Sequence, residues 1–374
     1  MEAANTTDMD TVGEVNKTLE EYEQFYLNAQ FATGLVFYPL LCTFGFLGNV
    51  MSIIVMSRKS MRTSTNMYLI TLGVADTVKI LNDFLYFIVI LCLRVDPLTG
   101  NKAMGLLYPY CHYLLNMSLC ASAWLTVSVA VERYIFICMP TKAKEYCNLA
   151  RAKIVSVAVF LSVIVISLPF AFRYKTTLKF NNASNTEMYE VEVNNLWQNP
   201  HFSVPFNWIH TCLRTVIPLI ILTFLNTSIV LGLRRSRAAN KRPSAKQKIT
   251  IMLVSIVIIF LVCVTPDAIM STAFGLGYYE ESYLARGVRE ITDSFLLINS
   301  AVNFIPYCIF NKHFRRTFLG IFGVKMFNKL SRSSIAETTR DNLRNSGIQT
   351  VMETKLLLSS ESATLCAPNN NPGG

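Results

Sequence analysis

Charge is scarce in this chain. Only 16% of its 374 residues are Asp, Glu, Lys or Arg, against 52% hydrophobic, where an ordinary soluble domain carries roughly 25% charged residues. That shortage argues against a single water-soluble core. A cleavable signal peptide is also missing. The first thirty residues are polar and acidic (Asp8, Asp10, Glu14, Glu20, Glu21, Glu23), without a basic start and apolar centre. The first apolar run is therefore expected to act as its own insertion signal. Ten cysteines are present, yet no pair has metal-ligand spacing, and no zinc or redox motif forms. No internal repeat and no pair of broken apolar segments appears, which counts against a transporter built from repeated halves. No catalytic constellation appears either, so an enzyme is not expected.

What the chain does have is apolar runs of about 20 residues, the length a helix needs to cross ~30 Å of hydrocarbon. Seven are visible: Phe31–Met56, Met67–Leu93, Met104–Cys138, Ile154–Phe172, Trp208–Leu233, Ile249–Phe274 and Ile291–Phe310. The fold class is an all-α membrane protein, a seven-transmembrane helix bundle. Residues 1–30 form an outer segment, 31–311 the bundle, 312–323 a short helix and 324–374 a disordered cytoplasmic tail rich in Ser, Thr and Asn. In the short helix Phe314, Phe318 and Phe322 recur every four residues, with Lys312, Arg315 and Arg316 between them. That pattern suits an amphipathic helix on the inner membrane leaflet.

Basic residues set the orientation. Arg58, Lys59 and Arg62, then Lys142 to Lys153, Arg234 to Lys248, and Lys312 to Arg316 load one set of loops, while the N-terminal segment carries only Lys17. The positive-inside bias puts the N-terminus outside and the C-terminus in the cytoplasm. The net charge of +10 then belongs to loops near anionic lipid, not to a nucleic-acid surface. Glycosylation sequons at Asn5, Asn16 and Asn182 fall on the outer side. The longest loop, Arg173 to Asn207, is outer, with β-prone residues that suit either a hairpin or an irregular loop.

Almost every run carries an out-of-place residue. The first has Gly48-Asn49, the second Asp76, and the third ends in Glu132-Arg133-Tyr134. The fifth has Pro218, the sixth Phe260, Cys263 and Pro266, and the seventh Asn299, Ser300, Asn303 and Tyr307. Interior prolines kink helices, and polar groups at membrane depth must find partners. Glu132 and Arg133 neutralise each other at a membrane boundary. Arg133 is expected to border water there.

Taken in order, these residues resemble the rhodopsin-like (class A) G-protein-coupled receptors over about Phe31 to Phe322. "IPLIILTFLN", "CVTPDAI", "NSAVNFIPYCIF" and "SLPFAF" resemble the neuropeptide branch that includes invertebrate FMRFamide-type receptors. The resemblance implies a receptor that binds an extracellular peptide and activates a heterotrimeric G protein, with arrestin, a receptor kinase and membrane lipid as further partners. It assigns Glu132, Arg133 and Tyr134 to G-protein coupling. Pro218, Phe260, Cys263, Pro266 and Tyr307 become switch residues. Asn49, Asp76, Ser122, Asn299, Ser300 and Asn303 become a polar network, either holding a sodium ion or filled with water. No other cofactor is implied. A seven-span transporter or channel, or a receptor for a small non-peptide ligand, are the alternatives.

The chain departs from the family's pattern in several places. Phe304 stands where Pro usually follows the seventh-span Asn. Val264 stands at the usual sixth-span Trp, and Asn226 at the fifth-span Tyr. The third-span Cys of the family's outer disulfide is Tyr108, and the second outer loop has no Cys. Cys92 and Cys111 are a substitute pair, but their heights differ by roughly 8 Å at ~1.5 Å per residue, too far without loop distortion. The chromophore lysine of an opsin would fall at Leu297, and the aspartate of a biogenic-amine receptor at Leu115, so both of those ligand classes are disfavoured.

Ionisable residues in the outer half of the bundle are candidate ligand contacts: Lys79, Asp83, Arg214, Asp267 and Asp293, with Tyr113. Tyr86, Phe87, Phe274 and Tyr278 would line the apolar part. Lys79 and Asp83, four apart, either pair with each other or meet the ligand; Arg214 and Asp267 present the same choice. In the tail, Ser331, Ser333, Ser334, Thr338, Thr339, Ser359, Ser360 and Ser362 are candidate phosphorylation sites.

Overall fold

A computed structural model of the chain describes residues 17–181, 186–239, 245–273 and 282–322. The spanning helices are α1 (Lys17–Met56), α2 (Ser64–Val95), α3 (Pro97–Cys138), α5 (Leu149–Phe172), α6 (Pro200–Arg235) and α7 (Ala245–Ala273), with α8 (Tyr283–Ala301) continued by α9 (Phe304–Phe310). A short inner helix, α4 (Pro140–Tyr146), joins α3 to α5, and α10 (Lys312–Ile321) follows the bundle. Five helices are long and apolar enough to span on length and composition alone, and the bent pair α8–α9 is a sixth. The seventh is α2, whose Asp76, Lys79 and Asp83 are all buried among its neighbours. The all-α seven-helix architecture read from the sequence is the one observed.

Burial is inverted relative to a soluble protein. Leu40, Ile154, Ile220, Phe224 and Val262 are each more than 60% exposed. Asp76, Ser122 and Thr215 lie inside. Apolar side chains on the outer face suit a hydrocarbon surround, which leaves the bundle interior free for polar groups. Helix α3 is the hub: it packs against α2, α5, α6 and α7. The chain up to Arg315 is one compact unit. From Arg316 a second unit begins, described to Phe322; within it the Phe318 and Phe322 rings lie 5.2 Å apart.

Helix α1 is far longer than its apolar run. Forty residues span ~60 Å at ~1.5 Å per residue, twice the hydrocarbon thickness. Its polar first half therefore extends beyond the hydrocarbon. It is held there against α8 by Arg286, which donates to the Tyr26 hydroxyl at 2.9 Å and sits 4.3 Å over its ring. Gly287 permits the approach: a Cβ there would come within 2.5 Å of the Phe25 ring.

Prolines shape the rest. Pro306 has no N–H for the Val302 carbonyl, so Ile305 takes it at 3.0 Å and the chain bends by 42° between α8 and α9. Pro218 follows a wide turn at Cys212–Val216, and there the Leu213 carbonyl accepts from the Trp124 indole at 3.0 Å. Pro109 leaves the Gly105 carbonyl without its helical partner, and the Thr176 hydroxyl donates to it at 2.5 Å.

Thr176 belongs to a hairpin in the long outer loop, β1 (Tyr174–Asn181) paired antiparallel with β2 (Thr186–Val193), Tyr174 opposite Val193. The Tyr189 backbone exchanges two hydrogen bonds with the Asn101 side chain, at 2.7 and 3.0 Å. These bonds hold the loop to α3. Cys92 and Cys111 are free thiols.

Candidate functional site

The polar residues of the spans converge on one column between α1, α2, α3 and α8. Asp76 is fully buried; Ser122 donates to one carboxylate oxygen at 3.0 Å and Asn303 to the other at 2.7 Å. The Asn49 amide donates to the Ser300 carbonyl at 3.0 Å, tying α1 to α8. Asn299 is buried beside them. A buried carboxylate is costly without donors, and here both oxygens have one.

At the inner end, the Arg133 guanidinium meets the Glu132 carboxylate at 3.0 Å, and Thr65 of α2 donates to the same oxygen at 2.7 Å. Arg133 also contacts the Thr65 hydroxyl and lies 5.3 Å from the Phe136 ring centre. Arg133 is only 8% exposed, which corrects the expectation that it borders water. The cause is Thr65, which draws the pair against α2. Tyr134 packs on the inner apolar core formed by Leu119, Val127, Leu222, Val257 and Phe260. Cys263, Pro218 and Tyr307 are buried, and Pro266 is half-buried. Val264, at the usual Trp position, joins the same core. Asn226, at the usual Tyr position, is buried with neither amide atom partnered.

The outer half holds two adjoining cavities. The larger, about 220 Å³, is walled by α1, α2, α3 and α8. Its ionisable lining is Lys79, Asp83, Arg286, Glu290 and Asp293, with Tyr26, Tyr38, Tyr86 and Tyr108 around them. Lys79 and Asp83 are paired with each other. Tyr86 donates to Glu290 at 2.6 Å, and Thr33 of α1 does so at 3.4 Å. The smaller cavity, about 40 Å³, lies among α3, α6, α7 and α8. Arg214 and Asp267 line it, bridged at 2.6 Å. Asp293, His112, Leu115 and Leu296 line both.

Of the expected ligand residues, Lys79, Asp83 and Asp293 thus share the larger cavity, and Arg214 and Asp267 the smaller. Tyr113 is half-buried and lines neither. Phe274, Tyr278 and the three sequons lie outside the described residues, as does the tail. Sequence reasoning missed Glu290, Arg286, Arg289, His112 and His210. The signal for the first three is present in "ARGVREITD", but they precede Ile291, where the apolar residues of the seventh run begin.

The family model for the seven-transmembrane receptors of the rhodopsin family matches residues 48–307. The chain belongs to that family. The receptor is therefore a multi-pass membrane protein of a receptor family, not of an enzyme family. It is 28% identical over 291 residues to the FMRFamide receptor of Drosophila melanogaster, covering 74% of this chain and 51% of that protein. The receptor thus spans about half the length of that relative. It is 26% identical over 322 residues to the Drosophila melanogaster sex peptide receptor (79% of this chain, 74% of the relative). It is 27% identical over 346 residues to the thyrotropin-releasing hormone receptor of Mus musculus (83% and 84%).

Proposed function

We propose that this receptor sits in the plasma membrane with its N-terminus outside, binds an extracellular neuropeptide and activates a heterotrimeric G protein. The observation that carries this reading is the pairing of two ends. An outer cavity is lined by ionisable and tyrosine side chains, and an inner arginine is sequestered by its own neighbour. A ligand that fits one arrangement of the outer helices better shifts the population toward it, and the coupling is reciprocal. Arg133 then leaves Glu132 and meets the G protein. Relatives named for the FMRFamide, sex peptide and thyrotropin-releasing hormone ligands support a peptide. The larger cavity has three carboxylates against two cationic groups, so the peptide presents a basic group to it, near Glu290 and Asp293.

A sodium ion at Asp76 belongs to the same proposal. Asp76, Ser122 and Ser300 offer it oxygen ligands, and its charge offsets the buried carboxylate. It favours the resting arrangement. After activation, phosphorylation of the tail by a receptor kinase recruits arrestin, while α10 rests on inner-leaflet lipid. Truncation after Leu330 is expected to reduce agonist-driven internalisation.

The deciding experiment is a screen of amidated neuropeptides on cells expressing the full chain, read out as G-protein activation. A peptide that activates only expressing cells supports the proposal. A membrane current or substrate uptake, with no G-protein signal to any peptide, sinks it.

A further inference from the structure

The inner end of the bundle carries a groove of about 300 Å³ among α1, α2 and α5. Thr65, in the first turn of α2, donates to Glu132, so the groove stands at the same end as the Glu132–Arg133 pair. Two cations line it, Arg62 on the α1–α2 loop and Lys153 on α5, and no Asp or Glu is in its lining. Both cationic side chains are exposed, and neither makes an ion pair among the described residues. The loop that presents Arg62 is braced. Asn66 Nδ2 donates to the Met61 carbonyl at 2.6 Å, and Met61 is 1% exposed. Ser57 and Thr63 add hydroxyls to the lining. Thr63 accepts from the Asn66 N–H at 3.1 Å, which leaves its own O–H to donate.

Apolar surface continues this lining along both helices. Lys153, Val157 and Leu161 are spaced by four residues, so they share one face of α5. Val157 and Leu161 are both exposed, ~6 and ~12 Å along the helix from Lys153 at ~1.5 Å per residue. On α2, Ile70 lines the groove, and Val74, one turn further on, is exposed as well. The two helices adjoin at this level, where the Thr71 and Ser156 hydroxyls lie 3.3 Å apart. A cationic end thus leads into two exposed apolar stripes, which suits an amphiphile with an anionic head.

We propose that this groove binds an anionic phospholipid whose head carries hydroxyls and no ammonium, a lipid of the phosphatidylinositol type. Arg62 and Lys153 take the phosphate by charge-assisted hydrogen bonds, and Ser57 and Thr63 meet the head hydroxyls. The acyl chains lie along Val74, Val157 and Leu161. Charge complementarity selects this occupant: two cations without a carboxylate suit an anionic head. A phosphatidylserine or phosphatidylethanolamine head would bring an ammonium to a lining that offers it no carboxylate. Placement in the inner leaflet rests on the proposed orientation; the binding chemistry does not.

The test uses the full chain purified in mixed micelles of detergent and phosphatidylcholine, which present lipid to both ends of the bundle. Agonist and G protein are left out, so its failure leaves the proposed signalling role standing. Phosphatidylinositol, phosphatidylserine with the same acyl chains, or water-soluble glycerophosphoinositol is added at constant ionic strength. Melting temperature is expected to rise saturably with phosphatidylinositol, as for a ligand of the native state, and to rise less with either of the others. Arg62→Gln and Lys153→Gln should each raise the half-saturating mole fraction about fivefold, the scale of one basic side chain at an anionic surface. Arg235→Gln, the same loss of charge at an exposed position on α6, should leave it unchanged. Phosphatidylinositol with a photoreactive acyl chain should label segments 67–74 and 153–161, and this labelling of the wild-type chain decides if a variant does not fold. Equal rises with phosphatidylserine overturn the proposal, and so does equal protection by glycerophosphoinositol, which would mark a site for a soluble phosphate ester. Equal weakening by Arg235→Gln, or labelling confined to other helices, overturns it too.

Discussion

The outer and inner halves of the bundle are built on opposite plans. The outer half is rich in ionisable side chains around two cavities, with Lys79–Asp83 and Arg214–Asp267 as buried pairs. The inner half is an apolar core from α3, α6 and α7, with a buried ion pair, Glu132–Arg133, drawn against α2. Outer charges line space that a ligand can occupy. The inner charge is held by its neighbour. Under the proposed function the same chemistry, a buried carboxylate beside a cation, serves recognition at one end and restraint at the other.

The largest effect should come from breaking the inner pair. Arg133→Ala is expected to abolish G-protein activation while leaving agonist affinity near wild type. Because Arg133 is buried, the variant also leaves Glu132 uncompensated, and stability should fall by ~3–5 kcal/mol, lowering surface expression. Radioligand binding corrected for surface density, together with a G-protein assay, separates the two. Normal signalling from a well-expressed variant would remove Arg133 from the coupling role. In the outer half, Glu290→Gln or Asp293→Asn should raise the agonist concentration for half-maximal response about tenfold, the scale of one charge-assisted contact, without changing the maximum. If maximum response falls and potency holds, the outer acids act as restraint too, and the contrast between the halves fails.

Asn226 sharpens the comparison, because it is a buried polar side chain on α6 at the position of the usual fifth-span Tyr. Both of its amide atoms are buried without a partner. Asn226→Leu has similar volume and removes that penalty, so melting temperature in the resting state should rise by the equivalent of ~1–2 kcal/mol. If activation gives the amide a partner, the same variant should lower the maximal response. A destabilised variant would mean that water already satisfies Asn226.

The sequence made the inner half more legible than the outer. The seven runs, the Asp76 column and the Glu132–Arg133 pair are visible because each polar residue interrupts an apolar stretch. The outer cavity escapes that contrast. Helices α1 and α8 continue beyond the hydrocarbon, where polar residues cost nothing, so Tyr26, Arg286 and Glu290 do not stand out. His112 and His210 lie within apolar runs, yet nothing local distinguishes their lining role from ordinary packing. The hairpin is not legible in the same way, because β-prone residues alone do not set register. What fixes it to α3 is the carbonyl that Pro109 frees at Gly105, a pairing no linear pattern displays.

That attachment gives a smaller effect. Since no disulfide joins the described residues, a mild reductant should leave agonist binding unchanged. Asn101→Leu, which removes both bonds to Tyr189, should weaken binding several-fold by loosening the roof of the outer cavity. Reductant-sensitive binding would show that a cysteine pair, not Asn101, secures the loop.

The smallest effect belongs to the hairpin's exposed rim, the part of the outer half furthest from restraint. Lys179 bridges Glu190 at 2.7 Å and Glu192 at 2.8 Å, and Lys175 reaches Glu192 at 3.3 Å. Hydrogen bonds from Lys179 and Lys175 hold the Glu192 carboxyl below the usual carboxylate range. The two glutamates raise Lys179 above the usual lysine range. A depressed acid stabilises the fold above its ordinary pKa, and that contribution is lost as pH falls through the lowered value. A raised base stabilises below its ordinary pKa, and that contribution is lost as pH rises through the raised value. Both are intact across neutral pH. Hydrogen exchange of the β1 and β2 amides, corrected for intrinsic rates, should therefore report equal opening at pH 6 and pH 8. Opening should increase only below about pH 4, where ordinary Glu side chains protonate. Because these groups are exposed and screened, salt near ~1 M should erase the acid-side change. A change in hairpin opening between pH 6 and pH 8 would place its control elsewhere, in a group titrating near neutrality.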